Sequence, residues 1–175
     1  MVYRRLPPEL RPRWLHGYGY LMARAQFQVL IIPYRVGNDG TLEYAVTKRS
    51  DVNAWQSLSG GGDAHESPIE AAKREANEEG GIPSNFKFLQ LDSVASIPVH
   101  NFPAHHEWGE NVYVIPEYSF CVDVGARDLS LSHEHTEARW LPYEEATRLL
   151  TWDSNRTALW EVNQRIIMRS NRNRF

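Results

Sequence analysis

The sequence predicts an α/β fold in a single domain, and three stretches carry that expectation. Phe27 to Tyr34 is a nearly continuous apolar run, the pattern of a central strand buried on both faces. Ser67 to Glu79 has the start and stop signals of a helix. From Ser154 onward, Ala158, Leu159, Val162, Ile166 and Ile167 form the apolar stripe of a second, amphipathic helix. A chain of 175 residues is about one domain long, and its 42% hydrophobic content can fill one core. Residues 1–24, with prolines at 7, 8 and 12, read as an irregular N-terminal arm, and 25–175 as the domain.

The other elements follow in chain order. Val36-Gly37-Asn38-Asp39-Gly40 is a turn signal, and Tyr44-Ala45-Val46-Thr47-Lys48 reads as the hairpin partner of the first strand. Ser59-Gly60-Gly61-Gly62 reads as a loop whose backbone can approach a ligand or metal without Cβ hindrance. Ser67-Pro68-Ile69-Glu70 is a capping box with proline at the first helical position. Ile69, Ala72 and Ala76 give that helix a narrow face of small residues, suited to lying close against a sheet. Gly80-Gly81 and Pro83 stop it. Phe88 to Val99 and Val112 to Val124 are rich in strand formers and flank a loop, 100–111, that carries histidine and proline. Ala138 to Leu141 reads as a short strand, Pro142 to Leu150 as a helix, and Arg169 to Phe175 as a frayed basic tail.

Composition removes several function classes. A net charge of −3 gives no reason for a nucleic-acid-binding or membrane-binding face. No apolar run reaches the roughly 18 residues of a membrane span, and the start lacks a signal-peptide core. The single cysteine, Cys121, excludes an intrachain disulfide and fits a cytoplasmic protein. It lies in an apolar run and reads as a buried strand residue in preference to a catalytic thiol. A homodimer stays open.

Glu75, Glu78 and Glu79 share one face of the 67–79 helix and crowd its last turn. That end is the negative pole of the helix dipole and normally attracts Lys or Arg, worth roughly 0.3–1 kcal/mol each. Repulsion among the three adds about a few tenths of a kcal/mol more. A chain that accepts both penalties recovers them from a bound cation. Clustered carboxylates suit Mg²⁺, or Mn²⁺, over zinc or copper. Arg74, four residues before Glu78, reads as a structural brace for its carboxylate.

The segment from Gly60 to Ile82 resembles the Nudix box, Gly-x5-Glu-x7-Arg-Glu-U-x-Glu-Glu-x-Gly-U, where U is apolar. Gly60, Glu66, Arg74, Glu75, Ala76, Glu78, Glu79, Gly81 and Ile82 fill its positions. The resemblance implies an α/β/α sandwich with a mixed central sheet. It also implies a divalent-metal-dependent hydrolase that cuts a diphosphate linked to another moiety. Shorter stretches are similar to the Nudix branch acting on dihydroneopterin triphosphate and dATP: residues 54–60, Glu134-His135 with Arg139-Trp140-Leu141, and Ser154-Asn155-Arg156. By that resemblance the substrate is a nucleoside or pterin triphosphate, cut to monophosphate and pyrophosphate. Other members of the family imply alternatives. These are a dinucleoside polyphosphate, a sugar nucleotide or an RNA cap as substrate, or a regulatory binder without catalysis.

The same resemblance implies roles for residues. Glu75, Glu78 and Glu79, with the backbone carbonyl of Ser59, would hold Mg²⁺, and Glu134 would add a ligand. Glu75, Glu78 and Glu134 are the candidate catalytic carboxylates, and the base that takes a proton from water is Glu134 or Glu75. Glu137 is the second candidate in the 133–137 cluster. Arg49 reads as a phosphate clamp or as a solvated charge at a strand end. Trp55 reads as a platform for a base or pterin ring or as a core residue. His100, His105 and His106 read as polarity of a pocket-capping loop, since no cysteine joins them as a zinc ligand.

Overall fold

A computed structural model describes residues 24–37 and 39–172, with side chains described to Met168. Of the arm expected over 1–24, only Arg24 is among them. The strands are β1 (Arg24–Val36), β2 (Leu42–Arg49), β3 (Trp55–Gln56), β4 (Leu58–Asp63), β5 (Phe88–Pro98), β6 (Val114–Asp123) and β7 (His135–Pro142). The helices are α1 (Pro68–Gly80), α2 (Tyr143–Leu149) and α3 (Asp153–Arg172). The seven strands form one sheet in the order β3-β2-β1-β6-β5, with β4 paired to β1 and β7 to β2. The sheet is mixed, because β1 and β6 run parallel and the other pairs antiparallel.

The apolar run of β1 is explained by two cores, one on each face of the sheet. Val29 and Ile31 pack with Ala71, Ala72 and Ala76 of α1, while Leu30 and Ile32 pack with Leu159 and Val162 of α3. This is the expected α/β/α sandwich, with α1 on one side and α2 and α3 on the other. Cys121 is buried in the second core. Among the described residues no helix is long and apolar enough to cross a membrane.

The sheet forks between β1 and β2. The two strands pair only through Tyr34–Tyr44, Arg35–Glu43 and Val36–Leu42. Beyond that point β3 pairs with β2, and β4 pairs with β1 from Ile31–Leu58 to Arg24–Asp63. The glycine run expected as a loop is therefore a strand. Glycine carries no alternating pattern to announce one, but its backbone still joins the β1 ladder. Two further boundaries differ for the same reason, that pairing outruns pattern. β7 begins at His135, which pairs with Arg49, and α2 begins only after Pro142, which is still paired with Glu43. α3 continues to Arg172, so residues 169–172, expected in a frayed tail, are helical.

One feature of the α3 side had no sequence signal. The β5–β6 register shifts between Gln90 and Val94, which releases backbone groups from the ladder. Glu161 of α3 takes up the amides of Asp92 and Ser93, both at 2.8 Å, and the Ser93 hydroxyl. Burial pushes the Glu161 carboxyl up, but these bonds and Arg165 outweigh it and hold it below the ordinary 4.5. Glu161→Gln should cost about 1–3 kcal/mol in chemical denaturation at neutral pH. A depressed carboxyl stabilises above its unfolded value and loses that contribution as pH falls through the folded one. The gap between wild type and variant should therefore shrink below the ordinary 4.5.

Candidate active site

α1 is held at both ends by the chemistry its sequence announced. The Ser67 amide donates to the Glu70 carboxylate at 2.8 Å, closing the capping box. At the other end Gly81 takes the left-handed conformation, φ 66°, and the amides of Gly81 and Ile82 bond back to Asn77 and Ala76. Ala71, Ala72 and Ala76 are fully buried, so the helix lies close on the sheet and its last turn reaches β4.

The three carboxylates of that turn have different surroundings. Glu75 and Glu79 are 7% and 3% exposed, whereas the Glu78 side chain is 58% exposed. Burial pushes Glu75 up to about 7; Arg74 offsets this only in part, and Glu79 and Glu78 add to it. Glu79 accepts the Ser59 amide at 2.9 Å, and the buried His135 ring sets Nε2 3.3 Å from its Oε2. An extended residue points its N–H and C=O to the same edge, so the Ser59 carbonyl also faces the end of α1. Gly60 lies between: a Cβ there would land on the Glu75 carboxylate. Glycine is required here for close approach.

Arg74 does more than brace Glu78. Its guanidinium grips both oxygens of Glu66 at 2.8 Å, Glu75 at 2.8 Å, Glu78 at 3.1 Å and the Gly61 carbonyl at 2.9 Å. The bonds to Glu66 are the largest cause of its raised pKa, and they hold the Glu66 carboxyl below its ordinary value. Among the described residues no three His, Cys, Asp or Glu side chains converge as a metal cage. Two buried carboxylates, Glu75 and Glu79, stand there beside Ser59 of β4.

A cavity of about 840 Å³ opens beside this turn. Arg49, Ser59, Glu75, Glu79 and Glu134 all line it. Arg49 is held by Asp51 through two bonds of 2.6 Å. Glu134 is exposed, and its carbonyl accepts the Ser50 amide at 2.8 Å, which sets it next to Arg49. Glu137 instead pairs with Arg139 at 2.6 Å and is absent from the lining.

Trp55 is not in the lining either. Its ring lies under the Arg139 guanidinium, 4.6 Å from the centroid, and packs on the α3-side core. The tryptophans on the cavity are Trp152, whose indole nitrogen donates to Gln56 at 3.3 Å, and Trp108, which bonds the Arg24 carbonyl at 2.8 Å. Asn155 and Arg156 serve the backbone. Asn155 accepts the Ser57 amide at 2.8 Å, and Arg156 bonds the Thr147 and Leu150 carbonyls. Sequence reasoning also missed Glu117, a buried carboxylate on the cavity wall. Its one signal was a charge inside the apolar run of β6.

The NUDIX domain family model matches residues 28–160. The chain belongs to the Nudix family. As a Nudix enzyme it is a hydrolase acting on phosphoanhydride bonds. Among similar proteins, mouse asymmetrical bis(5'-nucleosyl)-tetraphosphatase is 29% identical over 129 residues, 73% of this chain and 82% of its own. A Nudix hydrolase structure from Listeria monocytogenes has a TM-score of 0.73 at 41% identity, covering 82% of this chain and 95% of its own. E. coli dihydroneopterin triphosphate pyrophosphohydrolase shares the fold with a TM-score of 0.65 at 23% identity, covering 81% and 99%. A C. elegans Ap4A hydrolase complex does so with 0.63 at 19%, covering 81% and 97%.

The Glu75 carboxylate of the Nudix helix lies against Gly60 of β4, and a substitution pair tests that contact. Gly60→Ala should lose about 1–3 kcal/mol by overpacking against Glu75. In Gly61→Ala the new Cβ meets first the Arg24 guanidinium, a flexible chain end, at 3.2 Å. Thermal denaturation should therefore show a clear drop for the first variant and a much smaller one for the second.

Proposed function

We propose that this Nudix hydrolase cleaves a nucleoside or pterin triphosphate to its monophosphate and pyrophosphate with Mg²⁺, or Mn²⁺, as cofactor. The observation that carries the reading is the pair of buried carboxylates, Glu75 and Glu79, on a ligand-sized cavity that Ser59 also lines. The donors are all oxygen, which suits Mg²⁺. That ion commonly takes one or two carboxylates and completes its shell with water and substrate phosphates. A closed three-carboxylate cage is therefore not needed. Burial and the neighbouring Glu79 and Glu78 push Glu75 up further than Arg74 offsets, and a bound cation would favour its ionised form. Glu75, Glu79 and the Ser59 carbonyl are the proposed ligands, with Glu78 and Glu134 able to join from the exposed side.

When bound, the ion supplies charge neutralisation of the phosphates and a more acidic water. The remaining work belongs to the chain. Arg49, oriented by Asp51, takes phosphate oxygens at the cavity mouth. Water attacks phosphorus in line, the phosphoanhydride P–O bond breaks, and its electrons leave on pyrophosphate. The water's proton passes to a carboxylate, Glu134 or Glu75, both on the cavity. Arg74 keeps Glu75 and Glu78 in place and touches no reacting atom. The similarity to the mouse tetraphosphatase favours one second reading, a dinucleoside polyphosphate as substrate.

At saturating Mg²⁺, Glu79→Gln should lower turnover at least about tenfold while the far-UV spectrum and melting transition stay those of a folded protein. Near-normal turnover would remove the two-carboxylate argument. Pyrophosphate release across the common (d)NTPs, dihydroneopterin triphosphate, ADP-ribose and diadenosine polyphosphates identifies the substrate class. Release from triphosphates supports the proposal. Activity confined to dinucleoside substrates replaces it with the second reading.

A further inference from the structure

Glu117 stands where the pattern of β6 calls for an uncharged residue. Ile115 and Ser119 flank it on the same face of the strand, and all three are buried. It pairs in register with Gln28 of β1 and Ala95 of β5, and all of these residues except Ser119 line the cavity. The glutamate is 6% exposed, and its Oε2 has no hydrogen-bond partner among the described residues.

A structural carboxylate in such a place is normally paired with a cation or saturated with donors, because an unpaired buried charge is strongly destabilising. Glu161 on the same side of the sheet shows that arrangement, with two amides, a hydroxyl and Arg165. Glu117 has nothing comparable. Burial drives its carboxyl up, and the only offset is the Ser154 hydroxyl, with no basic side chain contributing. The donors it lacks are therefore those of a ligand.

The charge also says which part of a ligand. A carboxylate with no cation repels phosphate, so the phosphates belong toward Arg49 and the cation proposed for the last turn of α1, away from Glu117. Glu117 faces the ring. Two carboxylate oxygens match two adjacent N–H donors, as found on the 2-aminopyrimidinone edge of guanine or a pterin. Two such donors themselves favour the ionised carboxylate, whereas adenine and cytosine set a ring nitrogen lone pair beside their amino group and leave one carboxylate oxygen without a donor. The exposed indole of Trp152, two residues before Ser154, lines the same cavity and offers an aromatic face to a flat ring.

We propose that Glu117 is the specificity-determining residue of this cavity and accepts the paired N–H donors of a 2-aminopyrimidinone ring. This rests on the hydrolytic reading above for its catalytic readout but not for its binding readout. A site built to bond such donors rejects an analogue that lacks one, because its own group is then left unpaired.

The probes are GTP and ITP, which differ only in the 2-amino group. Wild-type kcat/KM should favour GTP at least about tenfold, and Glu117→Gln should bring the ratio to within about threefold. Calorimetric binding of GMP and IMP in chelator should show the same loss of discrimination without turnover. A wild-type ratio near one, a ratio unchanged in Glu117→Gln, or a preference for ATP over GTP overturns the role of Glu117 and leaves hydrolysis standing. If no triphosphate is turned over but GMP is still preferred over IMP through Glu117, the hydrolytic reading falls and this one survives.

Discussion

All five N–H groups of Arg74 are engaged, and the site depends on that saturation. Two grip Glu66, two reach Glu75 and Glu78, and one holds the Gly61 carbonyl of β4. A single side chain thus ties the helix to the loop before it and to the strand beside it. Lysine could not do this, since its three donors radiate from one point and cannot span both planes of contact. The same arrangement leaves a deficit. One guanidinium faces Glu66, Glu75 and Glu78 within 3.1 Å and Asp63 at 3.8 Å, so the cluster stays net negative even with Arg74 in place. Burial pushes Glu75 up to about 7, and the neighbouring Glu79 and Glu78 add to it. The brace fixes geometry without neutralising charge, which keeps the carboxylates available to a cation.

The fork in the sheet puts this helix end beside a cavity. β2 leaves β1 after three residue pairs, and β3 and β4 occupy the gap. β4 therefore has β1 on one edge and the end of α1 on the other, so its backbone polar groups serve the helix side chains. Ser59 N–H goes to Glu79, and two residues on, the Gly61 carbonyl goes to Arg74, as the period of a strand requires. The fork also brings the 151–155 segment into reach. Trp55 and Thr151 exchange two bonds, of 2.8 and 2.9 Å, which present Trp152 to the cavity.

Local signals made the acidic helix α1 legible from sequence, whereas the Glu117 and Trp152 side of the cavity was not. Caps, a stop and a charge pattern lie within residues 67–83 and need no partner to be read. Trp55 and Trp152 show the converse. Nothing in the residues around either tryptophan says which one lines the cavity. The answer depends on Arg139, which covers Trp55 from β7, and on Gln56, which holds the Trp152 indole. Both are long-range contacts. β4 was illegible for a different reason: three glycines have no side chains to alternate, so the strand exists only in its hydrogen bonds. Arg49 and Glu134 lie far apart in the chain, and the backbone bond of Ser50 to Glu134 helps bring them to one cavity.

Two buried carboxylates on the cavity are less fully partnered than Glu161 away from it. Away from it, buried charge is matched: Glu161 caps the irregular stretch of β5, and Tyr44 bonds Asn163 at 2.9 Å inside the core. On it, Glu75 shares the one Arg74 guanidinium with Glu66 and Glu78, and Glu117 Oε2 has no donor among the described residues. Each shortfall costs stability, and sequences that fold reliably remove such conflicts unless something else requires them. The two deficits are also of different kinds. Glu75 lies among other carboxylates and calls for a cation, while Glu117 lies among neutral side chains and calls for N–H groups. A ligand with an anionic, cation-bearing chain at one end and a donor-rich ring at the other answers both, whereas pyrophosphate alone would answer only the first.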